Sequence, residues 1–342
     1  MTMSVHTFEL KTQLSSEETK AVRDALYTYA KGKKNMCYPQ NNRLYFNRWC
    51  DEGVRFFLES SASVPGSTLH LVVTPAKVLG SNDAAALFVP STESVNKIYI
   101  AIEEILSWLT IERYSYQMQL SRLDLCRNVG LQDQRYIDAY IRLLKKGSSA
   151  TGWKVQAYPE GDERDAHSFR RISRYYQVTV YDKLYQIKRE GYHTDYDGTR
   201  RILRVEVSIL RPGIQEELSR CKANIDDRWP YQLLELAANG VSTMRRVLRR
   251  LVSDMPYYTL SAIREYLGTT DISNAKRKNL LDFLEKINRY DLLDKKRIKE
   301  KFENGKKRLK QLKKLGINPV TIEARAGIPY LPSLEQLIAA GL

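Results

Sequence analysis

The sequence predicts an α+β fold up to about residue 215, followed by a region that is almost wholly helical. Two observations carry this. Short runs with period-two alternation recur between long amphipathic stretches of helical spacing. Beyond Pro212-Gly213 the period-two runs stop and only helical patterns follow. At 342 residues the chain has room for both parts. Residues 1–215 are therefore expected to form one domain, and residues 216–342 a basic helical one.

Residues 1–65 mix strand-like runs with one amphipathic helix. Ser15-Ser16-Glu17-Glu18 caps that helix, which continues through Ala21, Leu26 and Tyr29. Leu44–Trp49 and Val54–Leu58 read as strands about a turn at Asp51-Glu52-Gly53. Thr68–Val73 is a clearer strand, ended by Thr74-Pro75 and followed by Ala76-Lys77-Val78-Leu79-Gly80. Ile98, Ile102, Ile105 and Leu106 recur at helical spacing and predict a helix over Ser94–Leu109. Met118–Leu125 is a strand, and Gln134–Lys146 a helix closed by Gly147.

A polar loop follows, with Glu160–Glu163 its mobile-looking stretch. In the next strand, alternation puts Tyr176, Val178 and Val180 on one face, and Asp182–Glu190 reads as a short charged helix. A turn-rich hairpin is expected over Tyr192–Thr199, then the strand Arg201–Leu210, stopped by Pro212-Gly213. Val241–Val252, Thr259–Leu267, Ser273–Leu292 and the strongly basic Asp294–Leu315 read as helices.

The charge balance, 55 Lys+Arg against 40 Asp+Glu, gives +15 and points to a polyanionic partner, most often nucleic acid. Twenty-two tyrosines among these cations suit stacking on unpaired bases, although most tyrosines in any protein are packing residues. Cys37, Cys50, Cys126 and Cys221 are scattered without a C-x-x-C pair, which fits a reducing cytoplasm and neither a zinc site nor a disulfide framework. Met1–Lys11 lacks the pattern of a secretory signal, and no apolar run is long enough to span a membrane.

Tyr181 sits where the strand meets the short helix, with Lys183 two residues on, close enough to set a cation beside the phenol oxygen. A phenol with a pKa of about 10 needs such a neighbour, a base or a metal to act as a nucleophile. Tyr185, one helical turn beyond, is the rival nucleophile. Three apolar strands each carry one ionisable residue: His70, Asp124 and Glu206. Buried charges are usually paired or bind metal, and one imidazole with two carboxylates would suit magnesium or manganese. Against this, a lone histidine such as His70 in a strand is more often structural than a ligand. Asp124 has Arg122 and Arg127 at hand for a salt bridge, and Glu206 has Arg204.

Four short motifs now stand in order: Pro75-Ala76-Lys77-Val78-Leu79 after a strand, Ser121-Arg122-Leu123-Asp124, Tyr181-x-Lys183, and Leu203-Arg204-Val205-Glu206. In order and spacing they resemble the gene II replication initiators of filamentous phages. Related rolling-circle initiators of plasmids, and relaxases of some integrative elements, share the later motifs. The resemblance covers roughly residues 65–215. It continues more weakly through Arg308–Leu315, Gly316 and Leu331–Leu342.

The resemblance implies an antiparallel sheet with helices on its faces and a metal on the central strands. It implies an initiator in the bacterial cytoplasm that nicks the plus-strand origin, joins its tyrosine to the 5′ phosphate and leaves a 3′ hydroxyl. Tyr181 would be the nucleophile, Lys183 its cation, and Asp124 and Glu206 the metal carboxylates with His70 beside them. The broader nucleases often carry two histidines around one hydrophobic residue, where Leu69-His70-Leu71 has one. Origin DNA, duplex and single-stranded, would be the partner, with host helicase and polymerase. Lys77, Arg122, Arg245, Arg246, Arg249, Arg250, Lys306, Lys307 and Arg308 are the expected DNA contacts. A solvated basic surface is the plain alternative for the helical ones, and Thr259–Tyr290 is a candidate helix-turn-helix or winged element. A conjugative relaxase, a non-catalytic DNA-binding regulator and an RNA-binding protein remain as rivals.

Overall fold

In chain order the elements are β1 (Ser4–Leu14), α1 (Ser16–Ala30), β2 (Cys37–Gln40), β3 (Arg43–Phe46), β4 (Val54–Ser61), β5 (Val64–Val73), α2 (Pro75–Val78) and α3 (Thr92–Trp108). Next come β6 (Gln119–Leu131), α4 (Gln134–Gly147), β7 (Lys154–Val155), β8 (Ser168–Ile172), β9 (Tyr176–Asp182), α5 (Lys183–Glu190) and β10 (Arg201–Leu210). The remainder is α6 (Arg211–Arg220), α7 (Trp229–Ala238), α8 (Gly240–Leu251), β11 (Tyr257–Tyr258), α9 (Leu260–Thr269), α10 (Asn274–Arg289), α11 (Gly305–Lys314), β12 (Tyr330–Leu331) and α12 (Leu334–Ala340). The computed structural model describes residues 2–112, 114–147, 150–221, 226–289 and 302–340.

Ten strands form one antiparallel sheet in the order β2-β3-β4-β5-β1-β6-β10-β9-β8-β7. Side chains alternate across a sheet, and here the two faces differ in kind. One carries Phe8 and Leu10, Leu69 and Leu71, Leu123 and Leu125, Val205 and Val207, and Val178 and Val180, all buried. Helices α1, α4, α6 and α7 pack against the strands. The other face carries Glu9, His70, Arg122, Asp124, Arg204, Glu206, Thr179 and Tyr181. A small apolar cluster on this face, Ala85, Ile187 and Ile202, lies where α5 meets the end of β10.

The alternation in Arg201–Leu210 and the Tyr176 strand predicted both elements, and the helix over Lys183–Glu190 is capped by Asp182, whose side chain accepts from the Tyr185 N–H. Ser15 caps α1 in a reciprocal capping box with Glu18. Other expectations change. The connection 191–200 contains no strand, so the hairpin at Tyr192–Thr199 is absent. Pro212-Gly213 ends the strand but opens α6, because a proline in the first turn sacrifices no helical hydrogen bond. Gly213 is required there, since a Cβ would sit 2.5 Å from the Tyr175 carbonyl oxygen. The Glu160–Glu163 loop leads into a 3-10 turn at Glu163–Asp165 capped by Asp162. Of the basic helix expected over Asp294–Leu315, Gly305–Lys314 is helical and residues 302–304 form a bend and turn instead; residues 294–301 lie outside the described residues, as do 290–292 at the end of Ser273–Leu292.

Packing continues through the boundary expected at residue 215. Trp229, fully buried at the start of α7, stacks on Phe8 of β1 with ring centroids 5.3 Å apart. The Met3 N–H donates to the Ala237 carbonyl, and Gly240 lies so close to Met3 that a Cβ would meet it at 2.4 Å. One hydrophobic core therefore joins the sheet to the helices after it.

This predicts that a fragment ending at residue 215 lacks a cooperative unfolding transition, because β1 loses its cover. Trp229→Ala in the full chain is expected to cost about 3–5 kcal/mol in urea denaturation. A fragment 1–215 that unfolds cooperatively at full-length stability would show an independent first domain instead.

Candidate active site

The site lies on the polar face where β1, β6, β10 and β9 run side by side. Arg204 pairs with Tyr181 across β10 and β9, and Glu206 with Thr179, so Glu206 is the diagonal neighbour of Tyr181. The Tyr181 hydroxyl donates to Glu206 Oε1 at 2.7 Å. The same oxygen lies 3.0 Å from His6 Nδ1.

His6 arrives there through a β-bulge. Between Val5 and Phe8, β1 advances three residues while β6 advances two, from Leu125 to Leu123. The extra residue lets adjacent side chains serve the same face. His6 reaches Glu206, and the Thr7 hydroxyl donates to Asp124 Oδ2. Asp124 Oδ1 also accepts from Arg122 Nε at 2.7 Å.

Burial alone disfavours a charged Glu206. His6, the Arg204 guanidinium and the Tyr181 hydroxyl overcome it and hold the carboxyl at about 2. The reverse applies to Tyr181: burial first, then the charge of Glu206, push the phenol well above its ordinary 10. Arg204 is fully buried opposite it, with Nε donating to Asn128 Oδ1 at 2.7 Å and Nη2 to the Ala85 carbonyl at 2.8 Å.

Lys183 makes no hydrogen bond to the Tyr181 hydroxyl among the described residues. Its Nζ lies 6.0 Å from the Tyr181 ring centre and donates to Gln186 Oε1 at 3.0 Å. Burial, then the nearby Arg204 charge, bring its ammonium down to about 8. It faces a cleft of about 920 Å³ that Lys77 and Arg55 also line. Tyr181 and Glu206 line a separate cavity of about 220 Å³, with Tyr158, Arg170, Tyr185 and Arg189 among its walls. His6, Gln186 and Glu190 border both and form the ridge between them.

The expected metal trio does not converge. His70 is level with Lys11 and so with Gln119, three strands from β10 and about 15 Å along the sheet from Asp124. It is held by Glu9 at 2.7 Å, lies 3.4 Å from Glu59, and stacks on Phe57 at 4.5 Å. Among the described residues no three His, Cys, Asp or Glu side chains form a metal cage. Two donors do meet, His6 and Glu206, with Asp124 on the adjacent strand; a metal there would need water and substrate phosphate oxygens to complete its shell.

The expected DNA contacts divide. Arg122 is engaged by Asp124 and by the Ser208 hydroxyl. Arg245 and Arg249 both clamp Glu335, and Arg246 holds the buried Glu217, so these three are internal staples. Arg250 is exposed with no ion pair among the described residues. Lys306 and Lys307 are exposed on α11, while Arg308 lies over the Phe283 ring at 5.6 Å. Lys77 is exposed, 6.0 Å from the Tyr192 ring. His6, Tyr158 and His167 escaped the sequence reading. The first is delivered by a bulge and the others by an irregular segment, neither of which leaves a periodic signal.

No family model matches the chain, and no curated protein matches it. No helix of the described residues is long and apolar enough to cross a membrane.

Because Glu206 is depressed in the folded state, its contribution to stability is complete above the ordinary carboxyl value of 4.5 and is lost as pH falls toward 2. Urea denaturation across that window should show a loss of up to about 3 kcal/mol through this group. The acid limb should flatten in Glu206→Gln. Equal pH slopes in the two proteins would remove the assignment.

Proposed function

We propose that the protein is a DNA nicking–joining enzyme, a rolling-circle replication initiator in which Tyr181 attacks an origin phosphodiester. The observation that carries this reading is the Tyr181 hydroxyl, fixed by Glu206 on the floor of a cavity whose walls mix arginines and aromatic rings. Such walls suit phosphate and base together.

In the free protein the phenol stays protonated, since burial and Glu206 both oppose phenolate. Glu206 aims the oxygen through its hydrogen bond, and the phenol proton passes to solvent as the bond to phosphorus forms and the bond to the 3′ oxygen breaks. The 3′ oxygen departs and is protonated by solvent. The 5′ phosphate remains on Tyr181, and attack by a 3′ hydroxyl reverses the step and recloses the strand. A magnesium or manganese ion held by His6 and Glu206, with Asp124 next to them, would stabilise charge on the departing oxygen. Arg204, buried beneath the site, adds a fixed positive charge. Lys183, which lines the neighbouring cleft, would add positive charge beside the strand there.

Duplex DNA would be held by the helical region. The helices α9 and α10 are joined by residues 270–273, a length that suits a helix-turn-helix, and Lys306 and Lys307 offer phosphate contacts. A conjugative relaxase would run the same chemistry on a transfer origin. A non-catalytic DNA-binding regulator is the second reading, favoured by the raised phenol pKa, which also suits a structural tyrosine.

The test is a nicking assay on supercoiled plasmid bearing the origin of the element that encodes this chain, with manganese or magnesium. Wild type should give a nick and a 5′-phosphotyrosyl adduct. Tyr181→Phe should lose both by about 10³-fold or more, while Tyr185→Phe keeps them. Origin binding without nick or adduct would establish the regulator.

A further inference from the structure

We infer that the cavity beside Tyr181 seats the base of one unpaired nucleotide, held by Tyr158 with its two arginines and met at its edge by Gln177. The inference rests on the nicking reading and specifies its substrate as a strand with one base turned out of the stack.

Size sets the first limit. The cavity, about 220 Å³, equals the volume of about seven waters, enough for one planar base. Its walls are of the kind that grips a flat ring. Arg164 and Arg170 lie over the Tyr158 ring at 4.4 and 4.9 Å from its centre. On the α5 side, His167 and Tyr185 stack at 3.7 Å with 17° between planes. Unpaired bases stack on aromatic rings and on guanidinium planes alike.

Cation–π pairing would also explain Tyr158 as loop packing, but it leaves the floor unaccounted for. Gln177 and Thr179 project from β9 beside Tyr181, with the Gln177 amide donating to the Thr179 hydroxyl at 3.3 Å. An amide and a hydroxyl supply both donor and acceptor capacity to a base edge. Tyr181 shares the floor, so a base seated here brings its own phosphate toward the hydroxyl.

The full-length chain can be tested without knowing the origin. Deoxynucleoside monophosphates and base-free deoxyribose 5-phosphate would be compared by NMR titration. The nucleotides should bind at least about fivefold more tightly, the low end of what one stacked base contributes. Tyr158→Ala and Gln177→Ala should each erase that difference, and Tyr158→Phe should retain most of it. Equal binding of the base-free sugar phosphate, no binding of any nucleotide, or a preference that survives both alanine variants would overturn the inference. Base preference without a Tyr181 adduct in the nicking assay would keep the pocket and remove the nicking reading. An adduct without base preference would do the reverse.

Discussion

The carboxylate of Glu206, largely withdrawn from water, is the constraint on which the polar face of the sheet depends. Taking such a group out of water costs several kcal/mol unless partners meet it. Each hydrogen bond to a charge returns about 1.5–3 kcal/mol, so one partner is too few. The fold supplies them from three strands: His6 from β1, Tyr181 from β9, and Arg204 two residues away on β10 itself. All three depend on register. A slip of one residue in β9 would turn Tyr181 to the helix-covered face and leave Glu206 short of a partner. The energetics of burying one acid thus fix the position of the tyrosine.

What the sequence disclosed follows from what periodicity can carry. β9, α5 and β10 were legible because alternation and capping are local, and Tyr181 was rightly placed at the strand–helix junction. Pairing is not local. His70, Asp124 and Glu206 do share one face, as their strands implied, but only the register reveals that His70 stands far along the sheet. Lys183 shows the limit of local spacing. Residues two apart share a face within a strand, but Asp182 ends the strand as a helix cap, and at the first helical position the side chain turns into the next cleft. β1 itself, central in the sheet, was hidden because its bulge interrupts the alternation at His6 and Thr7.

The charge of the chain reads differently once pairing is known. Paired arginines on α8 have the spacing of a phosphate-binding face, yet Arg245 and Arg249 converge on Glu335 from α12, and Arg246 on Glu217 from α6. Both carboxylates are buried, so each depends on its guanidinium partners as Glu206 does on its own. The uncommitted cations lie elsewhere: on α11, on Arg250, and along the cleft that Lys77 and Arg55 line. Net charge counted them all alike. Burial separates those that hold the fold from those that face solvent.

Glu217 links these two themes. It receives Arg246 and the Thr243 hydroxyl from α8, and also the hydroxyl of Tyr176 at the start of β9. Tyr176 and Tyr181 are five residues apart on one strand, so they face opposite sides of the sheet. The strand that presents Tyr181 to the open face is therefore pinned from behind by a network reaching into the helical region. Holding a reactive group to within about 0.5 Å requires its backbone to be fixed by packing and hydrogen bonds rather than by a loop. Here the first pin is Glu217 and the second is Glu206. Between them β9 has hydrogen-bonded neighbours on both edges, β8 and β10. The helices after residue 215 thus belong to the positioning of the tyrosine and are more than an appended basic surface.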